Sequence, residues 1–197
     1  DDFINQLVVD LKPIRPLSSP FLRTLSFVTL CVAQILVFAL VLGLRYDIEE
    51  RIDNIFFIVE IALVSAGGFF TALCAFYFNV PDKYGKNKIR YFAVIPTFAL
   101  LFLLLGKHTF PSFFYTEPVN HTLNSYECFI DVIAFSIFPL IVSLFSLRKG
   151  ATINPYWSSI LISLSAVNFS YITLRLIEPN DDAFHLLIWH YSPMIVV

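Results

Sequence analysis

Charge is scarce in this sequence. Thirteen Lys and Arg and 15 Asp and Glu make up 14% of its 197 residues, where a soluble domain carries roughly 25%. That scarcity excludes an ordinary soluble domain; a net charge of −2 says nothing about nucleic acid, and no direct nucleic-acid contact is expected. Three cysteines are too few for a disulfide framework. There is no Gly-rich phosphate loop, no His-Glu-x-x-His zinc helix and no Gly-x-Ser-x-Gly elbow. No nucleophile–base pair stands out either, so the expectation is a protein that is not an enzyme and carries no cofactor. What is abundant is apolar: 57% of residues are hydrophobic and the mean hydropathy is +0.74. This is the balance of a polytopic membrane protein. The chain starts at Asp1 and stops inside an apolar run, which reads as trimming at both ends.

Six apolar runs follow one another: Leu25–Leu44, Ile55–Val80, Tyr91–Gly106, Cys128–Leu147, Tyr156–Leu176 and Ala183–Val197. A helix needs about 20 such residues to cross a hydrocarbon core of ~30 Å. The first, second and fifth runs meet that easily. The third is shorter, and the fourth carries Asp131 near its start. The last would extend only ~22 Å at ~1.5 Å per residue and needs residues beyond Val197. The expected fold is all-α, with six transmembrane helices (25–197) preceded by a short cytoplasmic amphipathic helix within residues 1–24. The first run is not a cleaved signal peptide, because a long segment with Asp1, Asp2 and Asp10 precedes it and no small-x-small site follows. Gly67-Gly68, in mid-run, predicts a close helix contact or a kink.

Lys and Arg set the orientation. Nine lie on one side of this plan: Lys12, Arg15, Arg23, Lys83, Lys86, Lys88, Arg90, Arg148 and Lys149. Arg45, Arg51, Lys107 and Arg175 lie on the other, together with most of the acidic residues and the longest loop, Lys107–Glu127. Both termini are therefore expected in the cytoplasm.

In the N-terminal segment Ile4, Leu7, Val8 and Leu11 fall at i, i+3, i+4 and i+7, one apolar stripe on a short helix. Pro13, Pro16 and Pro20 then favour an extended linker. A helix lying on lipid carries Lys and Arg on its polar face. Here that face holds Asp1, Asp2, Asn5, Gln6 and Asp10, which suits a basic groove on a protein partner.

The other polar residues gather near the far side. Glu60 and Asp131 are the carboxylates within the apolar runs, each a turn or two from the outer surface. They read either as interface residues, water-exposed or paired, or as functional groups. The turn between the fifth and sixth runs is Glu178-Pro179-Asn180-Asp181-Asp182. Pro179 stops one helix, and Asn180 or Asp181 can cap the next. Cys128 and Asp131 are i, i+3 on one helix face. With Glu178 and His185 they could offer thiolate, carboxylate and imidazole to a soft or borderline metal, although no metal-binding spacing is present; helix capping and solvated loop charge are the alternative. His108 and His121 lie in the long loop, where Asn120-His121-Thr122 forms a chance-level glycosylation sequon. Cys31 and Cys74 sit ~9 Å deep from the opposite side. They are expected to be packing residues that cannot bridge to Cys128. Tyr91, Phe92, Tyr156 and Trp157 read as an aromatic belt.

Three stretches resemble the NrsF family, bacterial inner-membrane negative regulators of an extracytoplasmic-function sigma factor. Leu7-Val8-Val9-Asp10-Leu11-Lys12-Pro13-Ile14-Arg15 resembles the family's opening. Glu127-Cys128 and Leu147-Arg148-Lys149-Gly150-Ala151 resemble its middle. Glu178–His190 resembles its last turn and sixth helix, and is the most specific of the three. The resemblance implies a membrane-anchored anti-sigma factor whose cytoplasmic N-terminal segment holds the sigma factor, with Ile4, Leu7, Val8 and Leu11 as the contact. It also implies a periplasmic cysteine pair linked to stress sensing. One cysteine of that pair falls on Cys128; where the other precedes the proline, this sequence has Glu178. A Cys128–Glu178 metal site, an intermolecular Cys128 disulfide and a lost sensor are the alternatives, with Asp131 and His185 as further sensing candidates. A homo-oligomer is left open. From the residues alone, a small transporter using Glu60 or Asp131, or an intramembrane enzyme, is the other function class.

Overall fold

The computed structural model describes residues 17–80, 89–114, 126–150 and 154–192. Among these residues every regular element is helical. In chain order they are α1 (Pro20–Leu42), α2 (Ile48–Ile52), α3 (Ile55–Tyr77), α4 (Ile89–Thr109), α5 (Pro111–Phe114), α6 (Tyr126–Arg148), α7 (Pro155–Ile177) and α8 (Ala183–His185), with a π-helical turn over Leu186–His190. Five of them, α1, α3, α4, α6 and α7, are long and apolar enough to cross a membrane. Of the sixth apolar run, only Ala183–Ser192 falls within the described residues.

Pro20, read above as part of an extended linker, is instead the first residue of α1. Ser19 caps the helix by accepting the Leu22 N–H at 3.3 Å. The physics is the asymmetry of proline: at the first helical position its missing N–H is one the helix would leave unbonded anyway, and its fixed φ suits the turn.

The central helix is α7, with 78% of its apolar window buried against 11% for α1. Its sequence explains the place. Ser158, Ser165, Ala166, Asn168, Ser170 and Thr173 are small or polar residues of the kind that let apolar helices approach closely. One close approach is to α3 at Gly67-Gly68. A Cβ on Gly68 would lie 2.9 Å from the Phe169 ring, and Ser165 Oγ donates to the Gly68 carbonyl at 2.6 Å. The paired glycines thus mark a close helix contact. In α6, Pro139 cannot donate to the Phe135 carbonyl; Gln34 Nε2 of α1 bonds that oxygen at 2.7 Å. Cys31 and Cys74 are both buried in the main apolar core, and none of the three cysteines forms a disulfide. Tyr91, Phe92 and Tyr156 are exposed.

Candidate functional site

Polar groups concentrate where α1 ends, α3 begins, and α4 and α7 end. Gly43 leaves α1 at φ +86°, a left-handed conformation that glycine adopts without the Cβ penalty. The chain then crosses the end of the bundle, and the Arg45 N–H donates to the Leu176 carbonyl at 2.9 Å. This places the Arg45 side chain beside the turn after α7.

Arg175, in the last turn of α7, is the hub. Its Nε donates to Glu60 Oε1 at 2.6 Å, its Nη2 to Asp181 Oδ1 at 2.8 Å and its Nη1 to the Asn180 carbonyl at 2.8 Å. Glu60 has no exposed surface. It also accepts from Lys107 Nζ at 2.5 Å and from the Tyr171 hydroxyl at 2.7 Å. Asp181 continues the chain of charge to Arg45 (3.0 Å) and Arg51 (2.8 Å), and both arginines also bond Asp47. The four basic residues assigned to this side from the sequence, Arg45, Arg51, Lys107 and Arg175, are therefore all joined through three carboxylates. The Arg45 hydrogen bond holds the Asp47 carboxyl down at about 2, from a usual 3.8, against a smaller upward push from burial. Burial pushes Asp181 up, but the charges and hydrogen bonds of Arg175 and Arg45 bring it below its ordinary value.

Because Asp181 is held by these arginines, it does not cap the next helix. Asp182 does, accepting the Phe184 N–H at 3.2 Å, while Asn180 Oδ1 accepts the Asp182 N–H at 3.0 Å. The capping residue is one place later than the sequence suggested.

Beside this network lies a second cluster. Cys128, in the first turn of α6, points its thiol at Glu178, with Sγ 3.2 and 3.1 Å from the two carboxylate oxygens. His185 Nε2 lies 3.5 Å from one of those oxygens and His190 Nε2 lies 3.3 Å from the other. One ligand atom from each of the four residues falls within 4.8 Å of the others. Three of the sequence candidates, Cys128, Glu178 and His185, are thus brought together. Asp131 sits at the edge of the cluster: it is exposed and outside the group of four, although its charge reaches Cys128 and Glu178. The boundary of the packed face of α6 falls between Asp131 and buried Cys128. His108 stacks on Phe184 at 5.3 Å instead of joining the cluster. Ile4, Leu7, Val8, Leu11 and His121 lie outside the described residues.

His190 is the residue that sequence reasoning missed. In an α-helix, residues i and i+5 point about 140° apart, so His185 and His190 do not read as a pair. The π turn over Leu186–His190 widens the helix. The two imidazoles then lie on one face, with ring centroids 5.3 Å apart.

No curated protein and no solved structure matches the chain. A family model does, over residues 7–197, which takes in five apolar helices, the ion-paired end and the Cys128–Glu178 turn alike. The chain accordingly belongs to the NrsF family, described as negative regulator of sigma F.

Proposed function

We propose that this protein is a membrane-anchored anti-sigma factor that works by binding and not by catalysis. The family match over nearly the whole chain carries this reading. The helices anchor the protein in the bacterial inner membrane, with a sixth span formed from Ala183 onward and both termini in the cytoplasm. The N-terminal segment captures an extracytoplasmic-function sigma factor on the stripe Ile4, Leu7, Val8 and Leu11 and keeps it from RNA polymerase. Each large apolar side chain buried in that grip would contribute roughly 1.5–3 kcal/mol. The end that carries Arg45, Cys128 and Glu178 then faces the periplasm, in the position to receive a stress signal. Glu60 is already saturated by Lys107, Arg175 and Tyr171, and Asp131 faces outward. Neither offers an open site, which weighs against a transporter.

Two measurements test the reading. Leu7→Asp combined with Leu11→Asp, in the full chain, should abolish co-purification of the sigma factor while the protein stays in the membrane fraction. Repression at the wild-type level by the double variant would remove the helix as the grip. Reporter fusions after Arg51 and Glu117 should behave as periplasmic, and one after Lys86 as cytoplasmic. The reverse pattern would overturn the orientation and, with it, capture of a cytoplasmic partner.

A further inference from the structure

We infer that Cys128, Glu178, His185 and His190 form a binding site for one divalent cation of borderline softness, with zinc as the best match. The site follows from geometry and donor chemistry alone and does not depend on capture of a sigma factor.

The spacing is close to what a tetrahedral ion requires. Bonds of about 2.0–2.3 Å imply ligand-to-ligand edges of roughly 3.3–3.8 Å. The cysteine sulfur lies 3.1 and 3.2 Å from the two Glu178 oxygens, and the two imidazole nitrogens lie 3.5 and 3.3 Å from them. All four ligand atoms fit within 4.8 Å of one another. Small side-chain rotations bring the widest pair to a bonding edge.

The Nε2 atoms of the imidazoles have no described partner but Glu178. His190 is fully buried and His185 is 4% exposed. Among the described residues, Nδ1 of His190 meets no hydrogen-bond partner, and Nε2 of each ring faces only Glu178, at 3.3 Å from His190 and 3.5 Å from His185. Buried polar atoms are nearly always satisfied, so one unpaired imidazole nitrogen, beside a single carboxylate shared by two imidazoles and a thiol, points to an occupant. The widened turn at Leu186–His190 is what aims both rings inward, and turns of this kind recur at functional sites.

The donor set selects the ion. One sulfur, two imidazole nitrogens and one carboxylate suit zinc and its borderline neighbours, and do not suit magnesium or calcium, which require oxygen ligands. Charge balances as well. On binding, the Cys128 thiol gives its proton to solvent, and thiolate plus carboxylate neutralise a divalent ion at a nearly closed site. The ion would fasten the start of α6 to the last turn.

The test uses the purified full chain in detergent, stripped with a chelator and titrated with cobalt(II) as a coloured stand-in for zinc. The expected result is one equivalent bound, with visible bands of a tetrahedral ion and a near-ultraviolet sulfur-to-cobalt charge-transfer band. Zinc should erase both, and magnesium should change neither. Cys128→Ser should remove the charge-transfer band. His190→Gln should weaken binding at least ~10-fold, since even outer-shell partners of metal ligands cost that much. The double substitution Cys31→Ser with Cys74→Ser should leave the spectrum intact. Wild-type protein that stays colourless at one equivalent and above overturns the site without recourse to any variant. A charge-transfer band that persists in Cys128→Ser, or vanishes when Cys31 and Cys74 are replaced, overturns it equally.

Discussion

At one end of the bundle four cations meet three carboxylates beneath the turn after α7. At the other, Arg23 bonds the Ser146 carbonyl and lies 4.7 Å from the Phe76 ring centre, while Asn79 Nδ2 donates to the Leu147 carbonyl at 2.9 Å. Both ends tie several helices together. The first does it with paired charges, which are costly to bury and far costlier to leave unpaired. The second does it with neutral or singly charged groups that bond backbone oxygens left over at helix ends. A charge network tolerates little change in any member, because each carboxylate depends on the cations of more than one segment. A contact to a backbone carbonyl depends only on where the helix stops.

The largest effect should therefore come from the hub. Arg175→Met leaves Glu60 and Asp181 each short of a cation and should lower stability by about 3–5 kcal/mol, read as a fall in thermal midpoint of the detergent-solubilised protein. A loss under 1 kcal/mol would show that Lys107, Arg45 and Arg51 suffice. The opposite end has its own sensitive point in Gly150. A Cβ there would stand 2.0 Å from Asn79 Oδ1 and 2.8 Å from the Asn79 backbone oxygen. Gly150→Ala should cost about 1–3 kcal/mol through overpacking, and the same melting assay measures it. An unchanged midpoint would place more slack at this end than the contacts suggest.

Acid should separate the two ends with the smallest effect. Asp47 and Asp181 have carboxyls held below their ordinary values by arginine. As pH falls below about 4, the unfolded chain takes up protons that the folded chain resists. The stability these groups add is thus complete above that pH and is lost as it falls toward about 2, where Asp47 titrates. Limited proteolysis at graded pH with an acid-active protease should open the Gly43–Asn54 segment before the Asn79–Gly150 contact. Simultaneous opening would mean that the carboxylates do not govern their end.

How much of this was legible depended on the kind of signal. The long apolar helices could be read directly, because a 20-residue run has one physical use. The grouping of Arg45, Arg51, Lys107 and Arg175 on one side was also readable from charge counting, but their joining through Asp47, Glu60 and Asp181 was not. Pairing across helices depends on rotation about each axis, and an apolar run does not encode rotation when both its faces are greasy. Cys128, Glu178 and His185 could be named from chemistry. Asp131 lies at their edge, exposed and outside the four-residue group, because i, i+3 spacing allows a shared face without requiring one. Pro20 was misread because proline begins helices as readily as it breaks them, and Ser19 was the cue. His190 was hidden by a turn whose period the sequence does not announce.

That turn has a consequence for the length of the chain itself. A π turn is a helix carrying one residue more than its neighbours require. Removing one residue from Leu187–Trp189 should let the segment relax to ordinary α geometry. His185 and His190 would then stand at i and i+4, about 40° apart in an α-helix, and would still share a face. A relative lacking that residue would aim both histidines at the same face with an ordinary α-helix, so the π turn here is what lets an i, i+5 pair do the work of an i, i+4 pair.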